Sequence, residues 1–165
     1  MRIWNSMICL WIPCLLLGGI GCSDGGPVLV PVKGKVTVGS GQSFAKGTVR
    51  FTPMDLKQGQ GAYAITDEMG NYELIHFSQK PGIEPGRYAV SFALFQHEDG
   101  SPLPEPDLTK EFQPTLQDLG AVQFVAAEYS NAQSTKNITD VKADGGVYDF
   151  TIPDLKAQLV NSDRR

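Results

Sequence analysis

Cysteine is scarce in this 165-residue sequence, where Cys9, Cys14 and Cys22 are the three copies and none follows. A disulfide framework or a cysteine-based zinc site beyond residue 22 is therefore excluded. Long basic runs are also missing, and 14 basic against 18 acidic residues give a formal net charge of −4. Nucleic-acid binding needs clustered Lys and Arg for phosphate contacts. We therefore expect no nucleic-acid partner.

Charged residues are absent between Arg2 and Asp24, and the segment Met7–Gly21 is apolar or small apart from its cysteines. A short apolar run after a basic start, ending in small residues, is typical of a secretory signal peptide. The run is shorter than the about 20 residues that span a membrane. Its end, LLLGGIGC, resembles the lipobox of bacterial lipoproteins, although Gly19 stands where an aliphatic residue is usual.

The lipobox resemblance implies a signal peptide over residues 1–21 and lipidation of Cys22, followed by a tether over residues 22–31. The protein would then be extracytoplasmic and lipid-anchored to a bacterial membrane, on the periplasmic or outer-membrane side. Loss of Arg2 would lower the net charge to −5, which attracts no anionic lipid, so acyl chains must supply the membrane attachment. An uncleaved anchor and an ordinary secreted protein stay open as alternatives.

Apolar and polar residues alternate with period two through most of residues 32–153, and this pattern predicts half-buried strands. Many short strands separated by Gly and Pro turns indicate an all-β sandwich or barrel. The helical candidate, Val122–Ala132, lacks a cap and a sustained period, so we expect one turn at most. Residues 154–165 form a polar tail. The seven predicted strands are Val32–Val38, Thr48–Thr52, Gln60–Thr66, Asn71–Ile75, Arg87–Leu94, Ile138–Ala143 and Val147–Ile152.

The last two predicted strands flank Asp144-Gly145-Gly146, a turn that favours a β-hairpin. In that hairpin, Tyr148, Phe150 and Ile152 would face the core.

Four segments carry a more specific resemblance. VKGKVTVGSGQSFAKGTVRFTP (32–53), AYAITDEMGNYEL (62–74) and PGRYAVSF (85–92) are similar to the carboxypeptidase regulatory-like domain. Residues 128–152 resemble the C-terminal half of small planctomycete lipoproteins that carry this domain. The resemblance implies a transthyretin-like, immunoglobulin-like antiparallel β-sandwich, which is an accessory module and not the catalytic part of carboxypeptidases. Phe44 departs from the small apolar residue or proline usual there, which affects packing.

The two turn motifs within this resemblance have structural explanations. In TDEMGNY, Asp67 can cap the turn, Gly70 supplies a positive φ and Tyr72 re-enters the core. In the motif PGRY, a chain reversal likewise precedes a strand whose alternate side chains face the core. Its residues are Pro85, Gly86 and Tyr88.

Residues that could perform catalysis or bind a metal are few. His76 and His97 lack a second His or Cys at zinc-ligand spacing, and we expect His76 to be solvated or at a strand rim. Calcium coordination by Asp67, Glu68 and Asn71 is less favoured than turn capping, because their spacing is not that of a calcium loop. We predict no catalytic residue, cofactor or metal, with a hydrolase as a distant alternative. The sequon at Asn137 is discounted in a bacterial lipoprotein.

The segment Gln96–Ala121 breaks the strand pattern with 26 residues, four prolines and six acidic residues against Lys110. Loops longer than about 12–15 residues are usually functional or disordered. Three interpretations stay open: a solvated connection, a contact surface for a basic partner or cation, and a catalytic lid. The second would bring an envelope protein or a glycan to this loop.

The sequence thus predicts a non-enzymatic binding or structural module of the cell envelope. The alternative is a carbohydrate- or peptide-binding accessory subunit of an envelope complex. Exposed aromatic residues such as Tyr63 or Tyr129, forming a platform, would favour that alternative.

Overall fold

A computed structural model describes residues 26–39, 41–55, 59–107 and 109–156. The predicted signal peptide, Cys22 and most of the C-terminal tail lie outside these described residues. The elements in chain order are β1 (Val32–Val38), β2 (Gln42–Ser43), β3 (Thr48–Pro53), β4 (Ala62–Ile65), β5 (Asn71–Glu73), β6 (Ile75–His76), β7 (Gly86–Ala93), β8 (Phe95–Gln96), β9 (Val122–Gln123), α1 (Ala127–Ser130), β10 (Ile138–Val141), β11 (Gly146–Val147) and β12 (Phe150–Ile152).

The first sheet is built around β1. Strands β5 and β2 pair with β1 in antiparallel fashion, whereas β11 and β12 run parallel to it. Between β11 and β12, Asp149 takes the place of a backbone acceptor, because its Oδ1 accepts the Lys35 N–H at 2.8 Å. Gly34 lies opposite this interruption, where a Cβ atom would fall 1.9 Å from the carbonyl oxygen of Tyr148. The parallel pairing therefore requires glycine at this position.

The second sheet is antiparallel, with the strand order β10-β7-β3-β4-β6. Its longest strand, β7, is covered on both faces, because α1 and the residues after it pack on the outer side. Small outer side chains at Ala89, Ser91 and Ala93 leave room for this segment. Thr135 fixes the segment by donating its hydroxyl hydrogen to the Val90 carbonyl at 2.8 Å.

The inner faces of the two sheets share one hydrophobic cluster. Phe51 of the second sheet lies at its centre, with its ring centroid 6.4 Å from that of Tyr72 and 6.0 Å from that of Phe150, both from the first-sheet side. Phe44 is fully buried and meets Phe92 edge to face at 6.2 Å between ring centroids. These aromatic contacts hold the two sheets together, and the all-β prediction is confirmed.

The predicted C-terminal hairpin is wrong. β10 pairs with β7 in the second sheet, whereas β11 and β12 pair with β1 in the first. The turn at residues 144–146 exists, but its Gly146 N–H donates to the Pro31 carbonyl and so directs the chain along β1. The expected antiparallel pairing holds for the other strand pairs, whereas β11 and β12 pair with β1 in parallel. Local alternation does not specify which strand becomes the partner.

Other features extend the prediction. α1 has four residues, as the expectation of one helical turn requires, and no helix among the described residues is long and apolar enough to cross a membrane. Contacts with the two sheets and the core extend beyond residues 32–153 on both sides. Val30 exchanges backbone hydrogen bonds with Ile83, and Leu155 packs against the core. Three two-residue strands, β2, β8 and β9, were not predicted from the sequence, and the predicted strand Asn71–Ile75 is divided between β5 and β6.

Candidate binding surface

The outer face of the second sheet carries a row of side chains that the core does not use. On β3, Val49 and Phe51 point inward, so Arg50 between them points out. Strand register places Arg50 opposite Tyr63 on β4, and Tyr63 opposite Ile75 on β6. The pairing of three strands thus aligns three outer side chains.

Two aromatic rings stack on this face. Tyr63 and Phe77 have ring centroids 5.4 Å apart and planes inclined by 29°. The Arg50 guanidinium carbon lies 5.1 Å from the Phe77 centroid, a cation–π contact that contributes about 0.5–1 kcal/mol at an exposed site. Ile65 and Ile75 are 68% and 40% exposed. These five residues, Arg50, Tyr63, Ile65, Ile75 and Phe77, are called the outer-face patch below.

A groove of about 570 Å³ adjoins the patch, between the outer side of β3 and β7 and the chain after α1. Arg50 belongs to both the groove and the patch. The groove is otherwise lined by uncharged residues. Its polar lining residues are Thr48, Thr52, Ser91, Ser130, Asn131 and Gln133.

The two aromatic residues proposed for a platform have different environments. Both are partly exposed, but Tyr63 belongs to the outer-face patch, whereas Tyr129 packs against the hydrophobic core. Arg50 and Phe77 were missed in the sequence. Arg50 stands in the outward row of a predicted strand, and Phe77 continues the alternation of Ile75 past the predicted strand end, so period two could have found both.

The Asp67 turn uses its carboxylate internally. Asp67 Oδ1 accepts the N–H groups of Met69 and Asn71, both at 2.8 Å, and Oδ2 accepts the Asn71 amide at 2.9 Å. The hydrogen bonds from Asn71 hold the pKa of Asp67 below its usual value. Gly70 has φ +80°, and a Cβ there would lie 2.4 Å from the Val36 carbonyl. Among the described residues, no group of three acidic, His or Cys side chains could hold a metal ion.

Tyr72, which ends this turn, is 3% exposed and donates its hydroxyl hydrogen to the Tyr148 carbonyl at 2.6 Å. Burial raises the pKa of the Tyr72 hydroxyl, and the nearby Asp149 carboxylate adds to the effect. This hydroxyl therefore stays protonated and joins β5 to the chain between β11 and β12.

The second turn motif forms a similar connection. Gly86 adopts φ +147° after Pro85, and Tyr88 is fully buried. The Tyr88 hydroxyl donates to the Glu84 carbonyl at 2.7 Å, four residues upstream. Burial, followed by the charge of Glu84, raises the pKa of Tyr88 to about 12.

The two histidines differ from expectation in one respect. His76 ends the edge strand β6, as a position at a strand rim requires, but it is 3% exposed, so the expectation of a solvated residue is wrong. The turn after β6 folds over its ring: Nδ1 accepts the Ser78 N–H at 3.1 Å and contacts the Ser78 hydroxyl at 2.7 Å. His97 lies beyond β8 at the start of the long loop, where its carbonyl accepts the Gly100 N–H.

The loop at Gln96–Ala121 begins and ends in a short ladder, because Gln96 pairs with Val122 across β8 and β9. Its carboxylates partly serve its own turns. Asp99, Asp107 and Asp118 accept hydrogen bonds from Ser101, Thr109 and Thr115 respectively, and these bonds lower the pKa of all three carboxyls. Phe112 in this loop is 83% exposed.

The described residues thus define an all-β protein with two five-stranded sheets over one core and a partly exposed aromatic patch. No family model, curated protein or solved structure matches this chain.

Proposed function

We propose that this protein is a lipid-anchored, extracytoplasmic binding module of the bacterial cell envelope, built on a non-enzymatic β-sandwich. The observation that carries the proposal is the outer-face patch. Its two stacked rings and two exposed isoleucines lie on the side of the sheet that the core does not use. Clustered apolar side chains on a solvent face are typical of interaction sites.

Two observations support a carboxypeptidase regulatory-like, transthyretin-like sandwich with immunoglobulin-like packing. Two sheets enclose one aromatic core. The Tyr88 hydroxyl bond to the carbonyl of Glu84 is similar to the tyrosine corner of immunoglobulin-like sandwiches, in which a Tyr near a strand start bonds to backbone a few residues upstream.

The anchor is proposed on the lipobox residues and tested at Cys22. Detergent partitioning and mass analysis of the native protein are compared with those of Cys22→Ala. We expect the native chain to partition with detergent and to begin at a lipid-modified Cys22, and the variant to lose both properties. A native protein that is soluble, or that begins elsewhere, contradicts the anchor.

Binding through the patch is tested by retention of the full chain, in mild detergent, on washed cell-envelope material. The double variant Tyr63→Ala/Phe77→Ala should lose most of the retained fraction. The control is Met69→Ala/Val147→Ala, which removes two apolar side chains that are each 62% exposed at other sites. Equal retention of the two double variants overturns the proposed binding surface.

A second candidate surface is the loop at Gln96–Ala121, which could contact an envelope protein or a glycan. Its favouring observation is the exposure of two apolar side chains in this loop, Phe112 and Leu116, which are 83% and 46% exposed. Deleting residues 98–118 should leave the domain folded and remove any partner pulled down by the intact protein. Unchanged pull-downs eliminate this candidate.

A further inference from the structure

We infer that the groove beside the outer-face patch binds an anionic polysaccharide whose sugar rings carry carboxylate groups. This inference rests on the proposed binding function and names its ligand class. It depends on three features of the same surface: one guanidinium, a lining of uncharged hydrogen-bonding groups, and an adjacent pair of aromatic rings.

The first supporting feature is the charge of the residues that line the groove. The chain is acidic, with 18 acidic residues, yet no acidic side chain is among the described residues that line the groove. Arg50 is its one charged lining residue in the described part of the chain, and no ion pair joins Arg50 to another described residue. A guanidinium presents a planar fork of N–H donors that matches a carboxylate in bidentate geometry. The groove therefore favours a carboxylate over a cation.

The uncharged lining provides the second step. Hydroxyl and amide groups line the groove together with Arg50 and four apolar residues, and Ser91 is only 6% exposed. The hydroxyls of Thr48, Thr52 and Ser91 make no hydrogen bond to another side chain or backbone group of the described residues. Such groups can donate to and accept from the hydroxyls of a sugar, as polar groups in ligand sites fix orientation.

The aromatic pair provides the third step and decides between ligand classes. The Arg50 guanidinium lies over the Phe77 ring and Tyr63 stacks against Phe77, so a chain bound at Arg50 also meets the partly exposed surface of these two rings. An aromatic face is apolar with a negative quadrupole, which suits the C–H face of a sugar ring. An acidic peptide could satisfy Arg50 but presents no regular ring face to these aromatics, so we favour the polysaccharide.

The test measures binding of the full chain in mild detergent to three soluble polymers. Polygalacturonate has charged sugar rings, its methyl ester has the same rings without charge, and poly-L-glutamate has charge without rings. We expect polygalacturonate to bind at least about tenfold more tightly than either of the others, because a charge-assisted pair and ring contacts both contribute. Its affinity should fall as salt rises.

Variants separate the contributions. Arg50→Gln should weaken polygalacturonate binding about tenfold and abolish the preference over the methyl ester. The matched control is Arg87→Gln, which removes the same charge from the same sheet. Arg87 lies outside the groove, and its Nε is 4.0 Å from Asp140 Oδ1. Circular dichroism of each variant checks that the sheet content is unchanged. We expect the control to bind like the native chain.

Three results overturn the inference. The first is equal binding of polygalacturonate and its methyl ester, and the second is stronger binding of poly-L-glutamate than of either. The third is no binding of any polymer while envelope retention still depends on Tyr63 and Phe77. All three leave the proposed binding function standing. The proposed binding function fails instead if the Tyr63→Ala/Phe77→Ala variant is retained on envelope material as fully as the native chain.

Discussion

The two faces of the second sheet use the same kinds of residue for different purposes. On the inner face, Phe51 contacts aromatic rings from the opposite sheet and is fully buried. On the outer face, Tyr63 and Phe77 contact each other and Arg50 and keep part of their surface exposed. Aromatic side chains therefore stabilise the fold on one face, and on the other they remain accessible to a ligand. Variants on the two faces should therefore differ in their effect on the free energy of unfolding.

Removal of an inner aromatic ring should destabilise the fold strongly. Phe51→Ala should lower the free energy of unfolding by about 3–5 kcal/mol, because the site is fully enclosed and a cavity remains. Phe77→Ala on the outer face should lower it by less than about 1 kcal/mol. Chemical denaturation of both variants measures the difference. Similar losses in the free energy of unfolding would mean that the outer face stabilises the fold as much as the inner face does.

The first sheet offers a second test of what the fold requires. Gly34→Ala places a methyl group where the Tyr148 carbonyl lies, 1.9 Å away, so β1 and the chain between β11 and β12 must separate. We expect a loss of about 1–3 kcal/mol in the free energy of unfolding. Gly26→Ala is the control, because nothing lies within 4 Å of its added Cβ. Equal stability of the two variants contradicts the described parallel pairing.

The Tyr88 hydroxyl should contribute less to the free energy of unfolding than the Phe51 ring or the close packing at Gly34. Tyr88→Phe removes the hydroxyl bond to the Glu84 carbonyl and should cost about 1 kcal/mol. The folded-state pKa of about 12 lies above the ordinary value of 10.0, so this contribution is complete below pH 10 and is lost as pH rises towards 12. Denaturation between pH 9 and 12 should therefore show a shallower decline for Tyr88→Phe than for the native chain. Parallel declines exclude this role of the hydroxyl.

The smallest effect is expected at the long loop. Deleting residues 98–118 leaves a four-residue connection, His97-Leu119-Gly120-Ala121, between the paired strands β8 and β9. The free energy of unfolding should change by no more than about 1 kcal/mol, because the shorter connection reduces loop-closure entropy and few buried contacts are lost. Thermal unfolding monitored by circular dichroism measures the change. A large loss of stability would show that the loop belongs to the fold.

Much of the strand content could be predicted, because alternation at Val49–Phe51 or Tyr88–Phe92 records directly which side chains face the core. Strand partners could not, and the C-terminal segment shows why. Residues 146–152 alternate as a hairpin strand would, but their partner is β1, more than 100 residues away in the chain. His76 was misjudged for a related reason, because the turn that covers its ring is set by Ser78 and not by the strand pattern.

The candidate surface was only partly predictable. Tyr63 could be named as an exposed aromatic residue, but its partner Phe77 lies on another strand's extension, and their stacking depends on the pairing of β4 with β6. Tyr129 has an equally plain sequence context, yet it packs against the core. The choice between these two tyrosines depends on which residues cover the sheet, and the segment after α1 covers only part of it.

Photo-cross-linking in intact cells tests the central claim most directly. A photoreactive phenylalanine analogue is placed in the full chain at position 77 in the outer-face patch, at position 112 in the long loop, or at position 69 in the Asp67 turn. We expect high-mass cross-links to envelope material from position 77 and far fewer from positions 112 and 69. Cross-links from position 112 or 69 at or above the level from position 77 would contradict it.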